Sequence, residues 1–193
     1  MKTLFRPALS LFVLLSVLTG LMYPFLTTGI GMILFPNQTG GSLIEQNHKL
    51  VGSALIGQQF SSQAYFWGRP SATSPMPYNG LASGGSNFSN GNPAQLAAVA
   101  DRIKALHDAD PGNTAAIPVE LVTASGSGLD PEISPAAANY QIQRIAIARH
   151  GDPQQIKQLV AQFTEQPQLG VLGEARVNVL KLNLELDKLV AKN

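Results

Sequence analysis

The residue types best suited to chemistry are concentrated in the stretch "TASGSGLDPEISP", residues 123–135. Its hydroxyls could supply a nucleophile, and its glycines could present main-chain N–H groups to a phosphate. Its carboxylates could act as acid and base or bind a metal ion. Each of these chemistries requires partner residues, so the rest of the sequence decides whether this stretch is catalytic.

The sequence lacks the motif and the histidine placement that a serine nucleophile requires. A nucleophile elbow has the form G-x-S-x-G, and the glycines around Ser125 and Ser127 do not have that spacing. His48, His107 and His150 are scattered, and the last two fall at predicted helix ends, where a positive side chain is favourable. Serine–histidine catalysis is therefore disfavoured.

Metal and carboxylate chemistry receive weak support. The chain has no Cys, no H-x₃-H pair and no EF-hand loop motif. Asp130 and Glu132 stand on either side of Pro131, and an Asp before a proline is typical of a turn. A hydrolase that uses Asp130, Glu132 or Glu174 remains an open alternative with weak support, because such carboxylate pairs occur in any chain.

Phosphate binding is the third possibility. The segments "SGGSN" (83–87) and "SGSG" (125–128) both offer consecutive main-chain N–H groups in glycine-rich turns. Neither matches the P-loop motif or the dinucleotide-binding motif. The glycines are explained more simply by tight turns that require positive φ. We therefore expect both segments to be structural turns.

Local signals predict the helices of the domain that carries these turns. Three times a capping side chain stands directly before a proline, at Asn92–Pro93, Ser134–Pro135 and Asp152–Pro153. This pair of residues is typical of a helix start. The apolar spacing that follows predicts helices from 93 to about 107, from 135 to about 151 and from 153 onward.

Strands and a long loop complete the predicted domain. Alternating or β-branched residues predict a strand or short hairpin within 48–60 and strands at 64–68 and 117–123. The segment 176–190 predicts a strand followed by a short helix with a Lys181–Glu185 pair. Prolines and glycines predict a long loop from Arg69 to Pro93. The domain is therefore an α+β domain of mixed strands and three to four helices.

The composition indicates a membrane segment. Charged residues are 13% of the chain and hydrophobic residues 45%, an imbalance typical of chains with a membrane span. No charged residue or His lies between Arg6 and Glu45, and residues 9–34 are apolar enough to cross a bilayer as one helix. A cleaved signal peptide is the rival interpretation, but the apolar run is too long and no small-residue cleavage site follows it.

The charge distribution sets the expected topology. Lys2 and Arg6 precede the span, and the first stretch after it carries no Lys or Arg, so the positive-inside rule places the N-terminus in the cytoplasm. The expected domains are a cytoplasmic N-terminus (1–8), a transmembrane helix (9–34) and an external, periplasmic α+β domain (35–193). The net charge of +1, without basic clusters, disfavours nucleic-acid binding.

Small residues mark one face of the predicted span. Ser16, Gly20, Pro24 and Thr28 recur at intervals of four, which allows a second helix to approach closely. We therefore expect this face to pack against a helix of a partner subunit. Pro24 lacks an N–H group and crowds the carbonyl of Gly20, so it predicts a kink unless the helix ends early.

The assembled segments closely resemble the C subunit of the Kdp potassium-transporting ATPase over nearly the whole chain. The resemblance rests on seven stretches that are specific to that family and occur in its order. They are "RPAL" (6–9), "GSALIGQQF" (52–60), "YFWGRPSAT" (65–73), "PYN" (77–79), "SGGSN" (83–87), "VELVTASGSGLDPEISPAAANYQIQRIAIAR" (119–149) and "VNVLKLNLELDKL" (177–189).

The resemblance implies a non-catalytic subunit of a bacterial inner-membrane complex that imports K⁺ with ATP. The implied partners are a channel-like potassium-translocating subunit, a P-type ATPase subunit and a small membrane subunit. The family is described as a catalytic chaperone that raises the ATP affinity of the ATPase subunit. ATP and K⁺ then belong to the complex, and no cofactor, metal or catalytic residue is expected on this chain itself.

The two glycine-rich loops are the candidates for docking to the channel-like subunit or for bracing inside the domain. The candidate residues are Arg69, Tyr78, Asn79, Ser83, Gly84, Gly85, Ser86, Asn87, Ser125, Gly126, Ser127, Gly128 and Asp130. Besides the hydrolase, a module that binds cell-wall glycans through Tyr65, Trp67 and Tyr78 remains an alternative. A weaker possibility is that Asp130, Glu132 or loop carbonyls concentrate K⁺.

Overall fold

The computed structural model describes residues 2–89 and 91–190 and divides the chain into two compact units, the first ending at Leu43 and the second beginning at Ile44. Asn90, which falls within the long loop predicted from Arg69 to Pro93, lies outside the described residues. The first unit consists of α1 (Lys2–Val17), a π-helical turn (Leu18–Met22), α2 (Tyr23–Leu34) and the short α3 (Pro36–Thr39). Leu4–Leu34 is by length and composition able to cross a membrane.

From Leu43 onward the chain forms two small sheets. A hairpin pairs β1 (Leu43–Gln46) with β2 (Lys49–Ser53), and its turn residues Asn47 and His48 both have positive φ. The second sheet is antiparallel, with β5 (Arg176–Asn178) between β3 (Glu132–Ile133) and β4 (Thr164–Glu165). Of the two alternatives predicted for 48–60, a strand or a short hairpin, the strand is confirmed: β2 lies in this range and pairs with β1, which precedes it.

Five α-helices complete the second unit in residues 93–190. They are α4 (Pro93–Ala109), α5 (Pro135–Tyr140), α6 (Ile142–Arg149), α7 (Pro153–Gln162) and α8 (Val179–Val190). The three predicted caps are confirmed, because the side chains of Asn92, Ser134 and Asp152 each accept a main-chain N–H of the helix that follows. Each proline sits in the first turn, where no N–H donor is needed.

The core of this unit lies between the sheet and the helices. Its fully buried members include Phe66 before the long loop, Val177 at the centre of the sheet, Ile145 on α6, and Leu182 and Leu186 on α8. The strand followed by a helix that was predicted for 176–190 is confirmed. The predicted pair between Lys181 and Glu185 is wrong, because Glu185 pairs with Lys188 at 2.7 Å instead.

Two predicted strands are wrong. Residues 64–68 have no strand partner in the described part of the chain, and residues 119–121 form a 3-10 helix. In the second segment, Pro118 begins the turn and the main-chain carbonyl of Val119 accepts hydrogen bonds from both Val122 N and Thr123 N. These local hydrogen bonds replace the bonds to a neighbouring strand. The apolar residues that predicted a strand at 117–123 include Leu121 and Val122, which are buried without strand pairing.

The long loop and the fold class are confirmed. Neither helix nor strand occurs in residues 69–89, whereas the single helix predicted for 135–151 is two helices that meet at Gln141. An apolar N-terminal helix followed by a mixed domain is therefore the architecture, with five α-helices in residues 93–190.

Candidate functional site

The structure brings the two glycine-rich loops together. The first loop (residues 69–89) and the second loop (residues 123–131) are joined by main-chain hydrogen bonds from Ser125 N to Pro70 O (3.2 Å) and from Gly84 N to Ser127 O (2.8 Å). The two loops thus satisfy each other's main-chain groups, as strands do in a sheet. The candidate residues form one site, which we call the loop cluster.

Serine hydroxyls add to this contact. Ser71 Oγ donates to Gly128 O (2.7 Å), and Ser83 Oγ donates to Ser127 O (3.1 Å). Ser71 Oγ also accepts the main-chain N–H of Tyr78 at 2.9 Å. One hydroxyl therefore joins the second loop to two separate parts of the first.

Close approach of the two main chains explains the glycines. Gly128 has φ +67°, and a Cβ there would lie 2.7 Å from Gly84 O and 2.5 Å from Thr73 Cγ2. A Cβ on Gly85 would lie 3.0 Å from Gly126 O. The prediction of a positive-φ turn is thus confirmed for Gly128, while Gly126 has an ordinary φ and open space around it.

The first loop is also fixed from within. The buried Asn79 donates its main-chain N–H to Thr73 Oγ1 (3.0 Å) and its side-chain amide to Ser74 O (2.9 Å). Thr73 Oγ1 in turn donates to Met76 O (2.7 Å). Side chains therefore satisfy the main-chain groups of a turn that has no helix or strand to satisfy them.

An ion pair and a phenol close the base of the loop cluster. Arg69 Nη1 lies 3.2 Å from Asp130 Oδ2, and the Tyr78 hydroxyl donates to Arg69 O. Burial raises the pKa of Tyr78 to about 12; the negative charge of Asp130 acts in the same direction and Arg69 opposes it. Tyr78 therefore remains a protonated donor at neutral pH.

The two carboxylates of the second loop have structural contacts. Asp130 Oδ1 accepts the main-chain N–H of Glu132 (3.0 Å), which is the predicted aspartate turn. Glu132 Oε1 lies 3.0 Å from Arg176 Nε, as an ion pair without hydrogen-bond alignment. Burial raises the pKa of Glu132, and the charge of Arg176 opposes the rise. Each carboxylate thus faces an arginine.

The geometry of the loop cluster gives little support to the binding of a phosphate or a metal ion. The N–H groups of Gly84, Ser125 and Gly128 donate to carbonyl oxygens of the protein, and Leu129 N donates to Ser127 Oγ. These are the donors that a phosphate cradle would need. Within residues 2–89 and 91–190, no group of three or more His, Asp and Glu side chains could hold a metal ion.

The loop cluster has a buried side and an exposed side. Ser125, Gly128 and Asn79 are buried, whereas Ser86 and Ser127 are exposed. The candidate residues thus divide between internal bracing and a free surface. Gly126 and Asn87 also belong to the exposed side.

Sequence reasoning missed two buried amides that hold the segment before the first loop. Asn183 accepts from Phe66 N (2.9 Å) and donates to Phe66 O (3.0 Å). Gln141 accepts from Trp67 N (2.8 Å) and donates to Trp67 O (3.1 Å). The available signal was a polar residue at a buried position of each helical pattern.

Two arginines were missed in the same way. Arg144, which is 4% exposed, donates to Gln63 O (2.6 Å) and Tyr65 O (3.0 Å), and its guanidinium lies 4.2 Å from the centre of the Trp67 ring. Arg149 lies 4.7 Å from the Tyr65 ring centre. Because guanidinium groups cover these rings, Tyr65 and Trp67 are already engaged inside the protein rather than free to stack on a sugar.

The apolar helix presents the predicted small-residue face without a partner from its own unit. Ser16, Gly20, Pro24 and Thr28 are all exposed, and no heavy atom within 4 Å would meet a Cβ on Gly20. The helix continues through Pro24, and the turn that precedes it is π-helical from Leu18 to Met22. A wider turn of this kind accommodates the donor that proline lacks.

Fold and site together define a class of protein: an α+β domain with interlocked glycine-rich loops, preceded in the chain by one apolar helix able to cross a membrane. Comparison with known sequences gives the family. A family model described as "KdpC: K+-transporting ATPase, c chain" matches residues 5–188. The chain belongs to this family, as the resemblance predicted.

Known relatives match this chain over nearly their full lengths. Proteins named potassium-transporting ATPase KdpC subunit match from Polaromonas naphthalenivorans (61% identical over 193 residues, 100% of this chain and 98% of the relative) and from Herpetosiphon aurantiacus (60% over 189 residues, 98% of each). A third, from Janthinobacterium, is 57% identical over 188 residues, 97% of this chain and all of the relative.

Proposed function

We propose that the chain is a non-catalytic subunit of an ATP-driven potassium import complex of the P type in the bacterial inner membrane. In this proposal the helix spans the membrane, the N-terminus is cytoplasmic, and residues 35–193 are outside. Membership of the family supports the complex, and the charge pattern around the helix supports the topology. The partners are a channel-like subunit, an ATPase subunit and a small membrane subunit.

The observation that supports a docking role most directly is the interlocking of the two loops. Their main-chain groups and hydroxyls satisfy one another through at least Ser125–Pro70, Gly84–Ser127 and Ser71–Gly128. A surface held in this way loses little conformational entropy when a partner binds. We infer that the exposed side, with Ser86, Asn87, Gly126 and Ser127, docks to the outer face of the channel-like subunit.

The chaperone role would require coupling between the external domain and cytoplasmic ATP. In the proposed topology the loop cluster cannot touch ATP, so the effect passes through the helix or through the channel-like subunit. The π-helical turn from Leu18 to Met22 supports the first route, since such turns are frequent at functional positions of helices.

A single cysteine tests the topology, because the chain has none of its own. Ser86→Cys and Ser127→Cys should each react with a membrane-impermeant thiol reagent in intact spheroplasts that produce the chain without the channel-like subunit, so that the proposed docking surface is uncovered. Labelling that appears only after lysis would place the domain in the cytoplasm and refute the topology. The unsubstituted chain is the control for background labelling.

Crosslinking tests the docking surface separately. A photoreactive side chain introduced at Ser86 or Asn87 should crosslink to the channel-like subunit in the assembled complex. The matched control is Gln158, an exposed residue on α7. Equal crosslinking from Gln158 and from the loop positions would contradict the docking role of the loop cluster, while leaving membership of the complex intact.

A further inference from the structure

A small cavity next to the loop cluster is positively charged. It has a volume of about 230 Å³ and its polar lining residues are Gln59, Arg69, Ser71, Tyr78 and Arg102. Arg102 belongs to α4 and reaches the cavity from outside both loops. Helix and loop thus bring two guanidinium groups to one small space, although they are 33 positions apart in the sequence (102 − 69).

Arg102 has no carboxylate partner among the described residues. The ion pairs of residues 2–89 and 91–190 do not include it. Its Nη1 donates to Val122 O at 2.8 Å, and a guanidinium has further N–H donors besides that one. The side chain is half-buried, and this burial lowers the pKa of Arg102. A partly desolvated positive charge without a carboxylate is a favourable place for an anion.

Arg69 is only partly neutralised. Its pair with Asp130 uses one nitrogen, Nη1, at 3.2 Å. The buried Nε of Arg69 has no hydrogen-bond partner among the described residues. Asp130 accepts from Arg69 and from Glu132 N, so its charge is committed to the second loop. The cavity therefore retains net positive charge, because one carboxylate faces two guanidinium groups.

The groups of the cavity that remain available are hydrogen-bond donors, which favour an anion over a cation. The hydroxyl protons of Tyr78 and Ser71 are donated to the carbonyl oxygens of Arg69 and Gly128, respectively. The free donors are then the N–H groups of the arginines and the side-chain amide of the exposed Gln59. Planar guanidinium groups match the oxygen spacing of carboxylate and phosphate.

We propose that this cavity, between Arg102 on α4 and Arg69 in the first loop, binds a small oxyanion: a phosphate, sulfate or carboxylate group. The cavity is smaller than the roughly 300 to 1,000 Å³ typical of sites for larger ligands, so the ligand is a single anionic group. The bound anion joins α4 to the first loop. This site is separate from the exposed docking residues and does not depend on them.

Titration calorimetry of the full chain in detergent tests the proposal. Sodium phosphate and sodium acetate are titrated at ionic strength matched with sodium chloride. We expect saturable binding of at least one oxyanion and none of chloride. Arg102→Gln should weaken the affinity about tenfold or more, since hydrogen bonds to charged groups contribute that much. Lys104→Gln, on the exposed side of α4, is the matched control and should change the affinity less than about twofold.

A second variant keeps the test decisive if Arg102→Gln disturbs folding. Gln59→Glu places a carboxylate in the cavity from an exposed position and should abolish binding, while leaving the unfolding temperature nearly unchanged. Phosphatidylglycerol added to the micelles distinguishes the source of the anion: it lowers the apparent affinity for free phosphate if a lipid headgroup occupies the site. Absence of saturable binding, or wild-type affinity in both variants, would overturn the proposal.

Discussion

At the scale of single residues, the amides of Gln141 and Asn183 replace a neighbouring strand. Each amide pairs with both the N–H and the C=O of one residue, Trp67 and Phe66 respectively. A side-chain amide can do this because its C=O and the N–H syn to it point to the same side, as do the N–H and C=O of one extended residue. The segment before the first loop is therefore fixed by two buried side chains rather than by a sheet.

Removal of one of these amides should destabilise the protein strongly. Asn183→Ala leaves the main-chain N–H and C=O of Phe66 buried without partners, so we expect a loss of about 2 to 4 kcal/mol in the free energy of unfolding. Asn139→Ala is the matched control, because Asn139 is exposed and its amide donates to Pro135 O within the described part of the chain; it should cost less than about 0.5 kcal/mol. Denaturant unfolding of the full chain in detergent measures both. Equal losses would show that the Phe66 contacts are not stabilising.

Tyr78 makes the stability depend on alkaline pH. Its pKa is about 12 in the folded chain, mainly through burial, against 10.0 for an ordinary tyrosine. Between these values the unfolded chain has lost the proton and the folded chain keeps it, so the free energy of unfolding falls as pH rises through this window. The stabilisation is fully present below pH 10.

A spectroscopic titration isolates this group. The near-ultraviolet absorbance of tyrosinate is recorded against pH for the wild type and for Tyr78→Phe, and the difference between the two curves should have a midpoint of about 12. The stability loss between the two pH values should be smaller in the variant. A difference curve centred near pH 10 would mean that the Tyr78 hydroxyl is exposed to solvent.

At the scale of elements, what the sequence predicts correctly is local. The three caps were predictable because Asn92, Ser134 and Asp152 bond to residues two or three positions ahead. The apolar helix and the long loop were predictable from composition alone. The strand predicted at 64–68 failed because its hydrogen-bond partners lie 74 and 117 positions away in sequence. No local pattern can show that a distant amide will take the place of a strand.

The candidate site follows the same rule. The glycine-rich turn at 125–128 was predictable, and so was the turn at Asp130. The turn expected at 83–87 is wrong, because these residues form no turn and neither Gly84 nor Gly85 has positive φ. The pairing of the two loops was not predictable, since Gly84 and Ser127 are 43 positions apart (127 − 84) and meet only after the domain folds. Arg102 was missed because an arginine on a helix surface looks like any solvated charge until the fold brings a loop against it.

A pair of glycine substitutions tests the interlocking of the loops. Gly128→Ala forces a side chain into positive φ and into the Gly84 carbonyl, so we expect a loss of at least about 2 kcal/mol in the free energy of unfolding. Gly126→Ala, two residues away, meets nothing within 4 Å and should change stability by less than about 0.5 kcal/mol. Thermal or denaturant unfolding of the full chain measures both values.

The comparison of the two variants is decisive because they share a loop and a chemical change. A neutral Gly128→Ala would show that the two loops are not held at the described distance. A loss of the same size in Gly126→Ala would show that the second loop is sensitive to any side chain, rather than to the contact with Gly84.

At the scale of the whole molecule, the apolar helix and the α+β domain that follows it in the chain face different physical requirements. The helix spans 31 residues, Leu4–Leu34; at about 1.5 Å per residue this is roughly 46 Å, longer than the roughly 30 Å hydrocarbon core of a bilayer. Its ends can therefore extend into the headgroup region, where Arg6 is tolerated. Inside it, the hydroxyls of Thr19 and Thr27 donate to the carbonyls of Leu15 and Tyr23, so these polar groups are satisfied without water.

The small-residue face of this helix is expected to contact a partner subunit in the assembled complex. Gly20→Leu adds bulk to the face formed by Ser16, Gly20, Pro24 and Thr28, and it should prevent the close approach of a partner helix. We expect at least about a threefold loss of partner subunits that copurify with the chain from detergent-solubilised membranes, which corresponds to at least about 0.7 kcal/mol in association. The α+β domain, which lies in a separate unit, should keep its unfolding transition.

Gly29→Leu is the matched control for this substitution. It adds the same side chain to the same helix, at a position one residue beyond Thr28 and therefore off the predicted face, and no heavy atom lies within 4 Å of a Cβ there. Copurification should then remain at the wild-type level. Equal losses in both variants would show that general bulk in the span, rather than this face, limits assembly. Unchanged copurification in Gly20→Leu would instead assign the contact with the partner subunits to the α+β domain.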